Sequence, residues 1–262
     1  MKSAWSGLLV AFSLYSAVPV PQVQWEKKTM RWALSFLPLV GVLVGAAEWL
    51  WHLFCAHFGA AALFYAVGAA LIPLLISGGI HLDGLCDTCD ALCSYGDREK
   101  RLAILKDPHV GAFGPMWLMA FLLAEAACFA QIYETPALLP VVFLGFAEAR
   151  AIGARKIVTM PCAKNTGLAH IFAENSDKKA VDTTLKIELA VLDAALLVWL
   201  HQLEHGYFLA VAYMVLIGLW YILHTRIAMR VFGGITGDLA GFCISLSELL
   251  ALACAAFGGL MV

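Results

Sequence analysis

The chain has 262 residues, of which 62% are hydrophobic and only 14% charged, and its mean hydropathy is +0.82. Seventeen basic and nineteen acidic side chains are too few to cover a water-soluble surface of this size, which excludes an ordinary globular domain and makes lipid the solvent. A net charge of −2 likewise excludes a nucleic-acid partner, because phosphate binding needs a surplus of Lys and Arg on one face.

Residues 4–18 are apolar but short, and Pro19 and Pro21 end them. They read as a short N-terminal helix, interfacial or half-inserted, with a cleaved signal peptide starting at Lys2 as the competing reading. A spanning helix needs about 20 apolar residues to cross about 30 Å of hydrocarbon. The segments near 32–54, 59–80, 112–132, 136–156, 187–203, 207–225 and 239–262 meet that length. The expected fold is therefore all-α: a polytopic membrane helix bundle of about seven long spans plus the short N-terminal helix. No internal repeat, low-complexity tract or soluble domain interrupts it, so residues 1–262 read as one integral-membrane catalytic domain.

The basic residues fall in alternate connections. Lys27, Lys28 and Arg31 precede the first long span, Arg98, Lys100, Arg101 and Lys106 follow the second, a run from Arg150 to Lys186 occupies the end of the fourth and the loop after it, and Arg226 and Arg230 follow the sixth. The connections around 52–57, 131–134 and 201–205 contain no Lys or Arg. Lys and Arg resist translocation, so the basic connections are expected in the cytoplasm. Three polar segments, about 81–110, 157–186 and 226–238, then share that side, and the chemistry is expected where they meet the membrane. The eight cysteines are scattered, several in apolar runs, and are expected to be reduced.

The most informative stretch begins at a Gly78-Gly79 break. Asp83, Asp87 and Asp90 follow at i, i+4 and i+7, which puts all three on one helix face over about 10 Å. Like charges stacked this way repel, and a hard cation such as Mg²⁺ or Mn²⁺ offsets that cost. A solvated acidic helix end and a zinc site using Cys86, Cys89, Cys93 and His81 are the alternatives.

Two further segments share the pattern. Lys106-Asp107-Pro108 leads through Gly111 and Gly114 into the third span, the kind of glycine-containing loop whose N–H groups can approach phosphate oxygens. Gly233-Gly234-Ile235-Thr236-Gly237-Asp238 runs into the last span and ends in a carboxylate. Within the spans, Glu48, Glu125, Glu148, Asp193 and Glu248 are costly against lipid, and Glu148 and Glu248 are the stronger functional candidates. Arg150 could bind a phosphate bidentately. The histidines other than His81, among them His52 and His224, are expected at membrane interfaces.

Together, His81-x-Asp83-Gly84-Leu85-x-Asp87-Thr88-x-Asp90, the Lys106-Asp107-Pro108 segment and Gly233-Gly234-x-Thr236-Gly237-Asp238 resemble the cobalamin synthase family, adenosylcobinamide-GDP ribazoletransferase. Pro19-Val20-Pro21 and Phe36-Leu37-Pro38-Leu39-Val40-Gly41 match in the same order, so the resemblance covers nearly the whole chain. Two departures stand out: Cys86 where the family has a small Ala-like residue, and Ser16-Ala17 where an Arg precedes the proline turn. The resemblance implies a multi-pass enzyme of a bacterial or archaeal cytoplasmic (inner) membrane, with its active site on the cytoplasmic face. It would join adenosylcobinamide-GDP to α-ribazole, or its 5′-phosphate, and release GMP. Mg²⁺, with Mn²⁺ as a substitute, would be held by Asp83, Asp87, Asp90 and Asp238. His81, Asp90 and Asp238 are the candidates for general base, and Lys106, Asp107, Gly111, Gly114, Arg150, Gly234 and Gly237 for substrate binding. Besides those substrates and the bilayer, association with other corrinoid-pathway enzymes or with a second copy is left open.

Two rivals remain. A CDP-alcohol phosphotransferase also uses Asp clusters on a membrane helix, but its Asp-Gly-x-x-Ala-Arg signature is here interrupted by Asp87-Thr88. A divalent-cation transporter would place its site nearer the bilayer midplane and show paired repeats.

Overall fold

In the computed structural model, which describes residues 2–260, the described residues form a succession of helices joined by connections, with no strand among them beyond one isolated bridge. In chain order the helices are α1 (Lys2–Tyr15), α2 (Lys27–Met30), α3 (Leu37–Phe58), α4 (Ala62–Ser77), α5 (Ile80–Cys93) and α6 (Arg98–Ile104). They continue with α7 (Phe113–Tyr133), α8 (Leu139–Thr159), α9 (Leu168–Asn175), α10 (Lys178–Leu200), α11 (Gly206–Ile227) and α12 (Gly237–Gly258). Local chemistry sets the ends: Pro38 and Pro140 open α3 and α8, left-handed Gly59 closes α3, and the Thr236 hydroxyl accepts the Leu239 N–H to cap α12 at 3.2 Å.

Five described stretches are long and apolar enough to cross a membrane, or six if α4 and α5 count as one bent span. This is a membrane helix bundle, but the count of seven is not reproduced. The predicted 187–203 span falls mostly on α10, which runs from Lys178 to Leu200 and carries Lys186, Glu188 and Asp193. The predicted 59–80 span stops at Ser77. There Gly78 and Gly79 take φ of +65° and +80°, and the chain turns 97° into α5. Left-handed backbone at two successive positions is available to glycine at little cost, so the Gly-Gly pair makes an elbow. The last two residues of the 239–262 span lie outside the described residues.

The interior is mainly apolar, and its buried polar residues fall into partnered ones and others, such as Glu48, whose carboxylate oxygens find no hydrogen-bond donor. Arg150, fully buried on α8, ion-pairs with Glu248 of α12 and donates to the Phe146 carbonyl at 2.9 Å. The Tyr213 hydroxyl donates to Glu148 at 2.5 Å, and Lys156 donates to Thr225 Oγ1 at 2.6 Å and the Tyr221 carbonyl at 3.0 Å. These pairings stitch α8 to α11 and α12. His52 and His224 are buried against neighbouring helices: His52 packs edge-on against Tyr65 and Tyr133, and His224 donates to the Leu239 carbonyl at 2.9 Å. All eight cysteines are free thiols.

Candidate active site

Helix α5 crosses the start of α12 at Gly84. A methyl group there would come within 2.7 Å of the Asp238 carbonyl oxygen and 3.0 Å of its Cα, so the absence of a side chain is what lets the two segments meet. The crossing brings together carboxylates 155 positions apart in sequence. Asp83, exposed, and Asp87, half-buried, lie one turn apart on α5, and both Asp83 and Asp238 act electrostatically on Asp87. No ion pair joins Asp83, Asp87 or Asp238 to a basic side chain within 4 Å among the described residues.

A cavity of about 310 Å³ opens beside Asp238. Leu105 and Lys106 line it from the end of α6, Lys164 to His170 from the connection into α9, and Ile235 to Asp238 from the entrance of α12. The three polar segments singled out in the sequence therefore converge on one polar hollow. A parallel bridge between Cys162 and Ile235 ties two of them together, with Ala163 N–H donating to Ile235 at 2.9 Å and Ile235 N–H to Pro161 at 2.8 Å. On the far side of the carboxylates, Asp83 borders a separate, mainly apolar cleft of about 540 Å³ with Leu74, Leu82, Leu118 and Leu122.

The predicted site residues divide between these places. Lys106, Gly237 and Asp238 line the cavity, and a Cβ added at Gly237 would meet nothing within 4 Å, so the backbone there is open to a ligand. Asp107 does not line it: its carboxylate is exposed, accepts from the His109 N–H at 2.9 Å and pairs with the His109 ring at 2.8 Å, contacts that hold it below the usual carboxylate range. Gly234 packs instead against the backbone of Pro161 and Ala163, so its missing side chain serves the bridge. His81 is buried against Tyr15, with ring centroids 6.3 Å apart, and lines neither cavity. Arg150 is also absent from the cavity walls, because its guanidinium is committed to Glu248 inside the bundle.

Asp90 has a partner that the sequence did not foresee. Its carboxylate accepts the backbone N–H groups of Gly111, Phe113 and Gly114 at 2.8, 3.0 and 2.9 Å. The glycine loop does receive an anion, but that anion is Asp90, which caps α7 from the neighbouring helix. Side chains at Gly111 or Gly114 would collide with it, at 2.6 and 2.8 Å respectively. Asp90→Asn should therefore weaken this clamp by about 1–2 kcal/mol, read as a lower melting temperature and faster amide exchange confined to 111–114. Unchanged exchange there would sink the clamp.

Lys164, Thr166, Gly167 and His170 were not singled out in the sequence, yet they form one wall of the cavity. The available signal was the polar run Lys164-Asn165-Thr166-Gly167, which ends at a glycine of φ +91° just before α9. The thiols of Cys89 and Cys93 lie on the opposite side of α5, in an apolar cavity with Leu85, Leu92, Trp117 and Phe121, well placed for packing and away from the carboxylates.

Among the described residues no three His, Cys, Asp or Glu side chains stand grouped as a ready-made metal cage. The donors near the cavity are nevertheless carboxylates with no ion-pair partner within 4 Å among the described residues, which suits a hard oxygen-seeking ion. Mg²⁺ is commonly held by one or two carboxylates with substrate phosphates completing its shell, so a partial protein shell fits it.

The comparisons with known proteins give the family. Residues 7–256 match the family described as cobalamin-5-phosphate synthase. The chain belongs to that family. Among curated relatives, adenosylcobinamide-GDP ribazoletransferase of Lachnoclostridium phytofermentans is 34% identical over 246 residues, covering 94% of this chain and 91% of the relative. Proteins of the same name from Clostridium perfringens strain 13 (29%, covering 95% and 96%) and Geobacillus kaustophilus (30%, covering 95% and 94%) match over similar lengths. No solved structure matches. As a cobalamin-5-phosphate synthase family member the chain is a transferase of cobalamin synthesis, built on membrane helices.

Proposed function

We propose that this cobalamin-5-phosphate synthase family member joins adenosylcobinamide-GDP to α-ribazole or α-ribazole 5′-phosphate and releases GMP. The observation that carries this is the meeting of Asp83 and Asp87 with Asp238, which also lines a cavity with Lys106 and Lys164. The relatives' shared name supports the choice of substrates.

In this reading the hydroxyl oxygen of the ribazole attacks the corrinoid-side phosphorus of the diphosphate. The bond from that phosphorus to the bridging oxygen breaks, GMP leaves with the electron pair, and the hydroxyl proton passes to a base. Asp83, Asp87 and Asp238 would hold Mg²⁺ or Mn²⁺, which when bound neutralises phosphate charge and acts as a Lewis acid. Lys106 pairs with phosphate oxygens from the α6 side. Asp238, lying at both the carboxylate crossing and the cavity wall, is the residue best placed to receive the proton, ahead of buried His81 and of Asp90, whose oxygens already accept three N–H groups.

The test is direct. Detergent-purified protein given adenosylcobinamide-GDP, α-ribazole and Mg²⁺ should release GMP and form adenosylcobalamin in equal amounts, with EDTA stopping both. Divalent-ion uptake into proteoliposomes without GMP release would favour a transporter instead.

We also place the cavity on the cytoplasmic side of the inner membrane, on the strength of the basic connections around it. Accessibility tags after Asp97 and within 164–180 should report cytoplasm, and a tag beside His205 should report the outside. A cytoplasmic signal at His205 would overturn this orientation.

A further inference from the structure

The cavity beside Asp238 carries charges of both signs. Asp238, Lys106 and Lys164 all line it, and Lys164 interacts electrostatically with the other two. Lys164 is partly buried: desolvation and the neighbouring Lys106 lower the pKa of its ammonium, while Asp238 works in the opposite direction. Thr166 and His170 line it too, and a Cβ added at Gly237 would meet nothing within 4 Å. Two lysines on the wall of one hollow give it the positive charge an anion site needs.

Size decides which anion. A volume of about 310 Å³ is at the lower end for small-ligand sites, enough for a mononucleotide and far too small for a corrin macrocycle. We propose that Lys164 and Lys106 form the subsite for the phosphate that departs with the guanosine nucleotide, with Lys164 the residue that neutralises it. The assignment of nucleotide and leaving group rests on the ribazoletransferase reading above.

The chemistry gives Lys164 a defined task. As the bond to the bridging oxygen breaks, that oxygen's electron pair stays with GMP and negative charge grows on its phosphate. A lysine fixed at that end interacts more strongly with the transition state than with the intact diphosphate, so it raises kcat as well as binding the product. With Asp238 and its neighbours reserved for a cation, and Arg150 paired inside the bundle, Lys164 replaces Arg150 as the second phosphate clamp.

Direct binding tests this apart from turnover. Full-length protein in detergent is titrated with labelled GMP, with inorganic phosphate as competitor, for the natural sequence, Lys164→Ala and Lys164→Arg. Lys164→Ala should weaken GMP binding roughly 10- to 100-fold, and Lys164→Arg should restore most of it because the cation is kept. Phosphate should compete only where a basic residue stands at 164. Matched melting curves and Lys164→Gln guard against misfolding. Equal GMP affinity in natural and Lys164→Ala proteins, or no GMP binding at all, overturns the subsite. GMP binding that depends on Lys164, in a protein that makes no cobalamin, would uphold the subsite and sink the ribazoletransferase reading.

Discussion

Asp87→Asn should abolish turnover while leaving the metal-free protein as stable as before, or more so. Asp87 has no cationic side chain within ion-pair distance among the described residues, and Asp83, Asp238 and Asp90 all press on it with like charge. An amide of the same shape removes that repulsion without opening a void, so the melting temperature in EDTA should hold or rise. The rate of GMP release should fall at least about 100-fold, the usual scale for losing one fixed electrostatic contact to a reacting centre. Mg²⁺ should raise the melting temperature of the natural protein by binding the folded state, and raise that of the variant less. Such opposite movement of stability and activity is what a site held open for a cation predicts. A fully active Asp87→Asn protein with unchanged Mg²⁺ demand would remove Asp87 from the metal site.

Arg150→Met carries the largest expected effect on stability. Arg150 is completely buried and is the partner of Glu248, itself almost fully buried. Removing the guanidinium leaves an uncompensated carboxylate inside the bundle, which costs about 3–5 kcal/mol. In a thermal melt that is a drop on the order of 10 °C. The double variant Arg150→Met with Glu248→Leu should recover most of it, because a pair of apolar side chains of similar volume is no worse than a buried ion pair. A phosphate clamp would behave differently: Arg150→Met would then raise KM at unchanged stability, and Glu248→Leu would rescue nothing.

The helices of the bundle were legible because a membrane span is read from length and apolarity, properties of a single segment. What the sequence concealed is pairing. Glu248 looked like a functional acid and Arg150 like a phosphate ligand, and each is explained by the other, 98 positions away. Asp83, Asp87 and Asp90 share a helix face as their spacing required, yet only the fold reveals that Asp90 serves the loop at Gly111. The convergence of three polar segments on one cavity was foreseeable from charge, since all three carry Lys or Arg. The wall built by Lys164 to His170 was not, because nothing in a short polar loop indicates that a bridge at Cys162 and Ile235 will hold it against the entrance of α12.

The elbow at Gly78 and Gly79 bears on the lipid as well as on the protein. Helix α4 has 16 residues, which at 1.5 Å each give about 24 Å, against about 30 Å of hydrocarbon in an average bilayer. The chain beyond the elbow turns aside at 97° and adds little depth, so this corner of the bundle is too short for its surroundings. With α4 standing across the bilayer by itself, acyl chains next to it would compress to meet it, at a fraction of a kcal/mol per ångström. The carboxylates of α5 would then stand over a local dimple in the bilayer. Vesicles of shorter-chain lipid relieve that compression, and the protein reconstituted in them should melt higher than in long-chain vesicles.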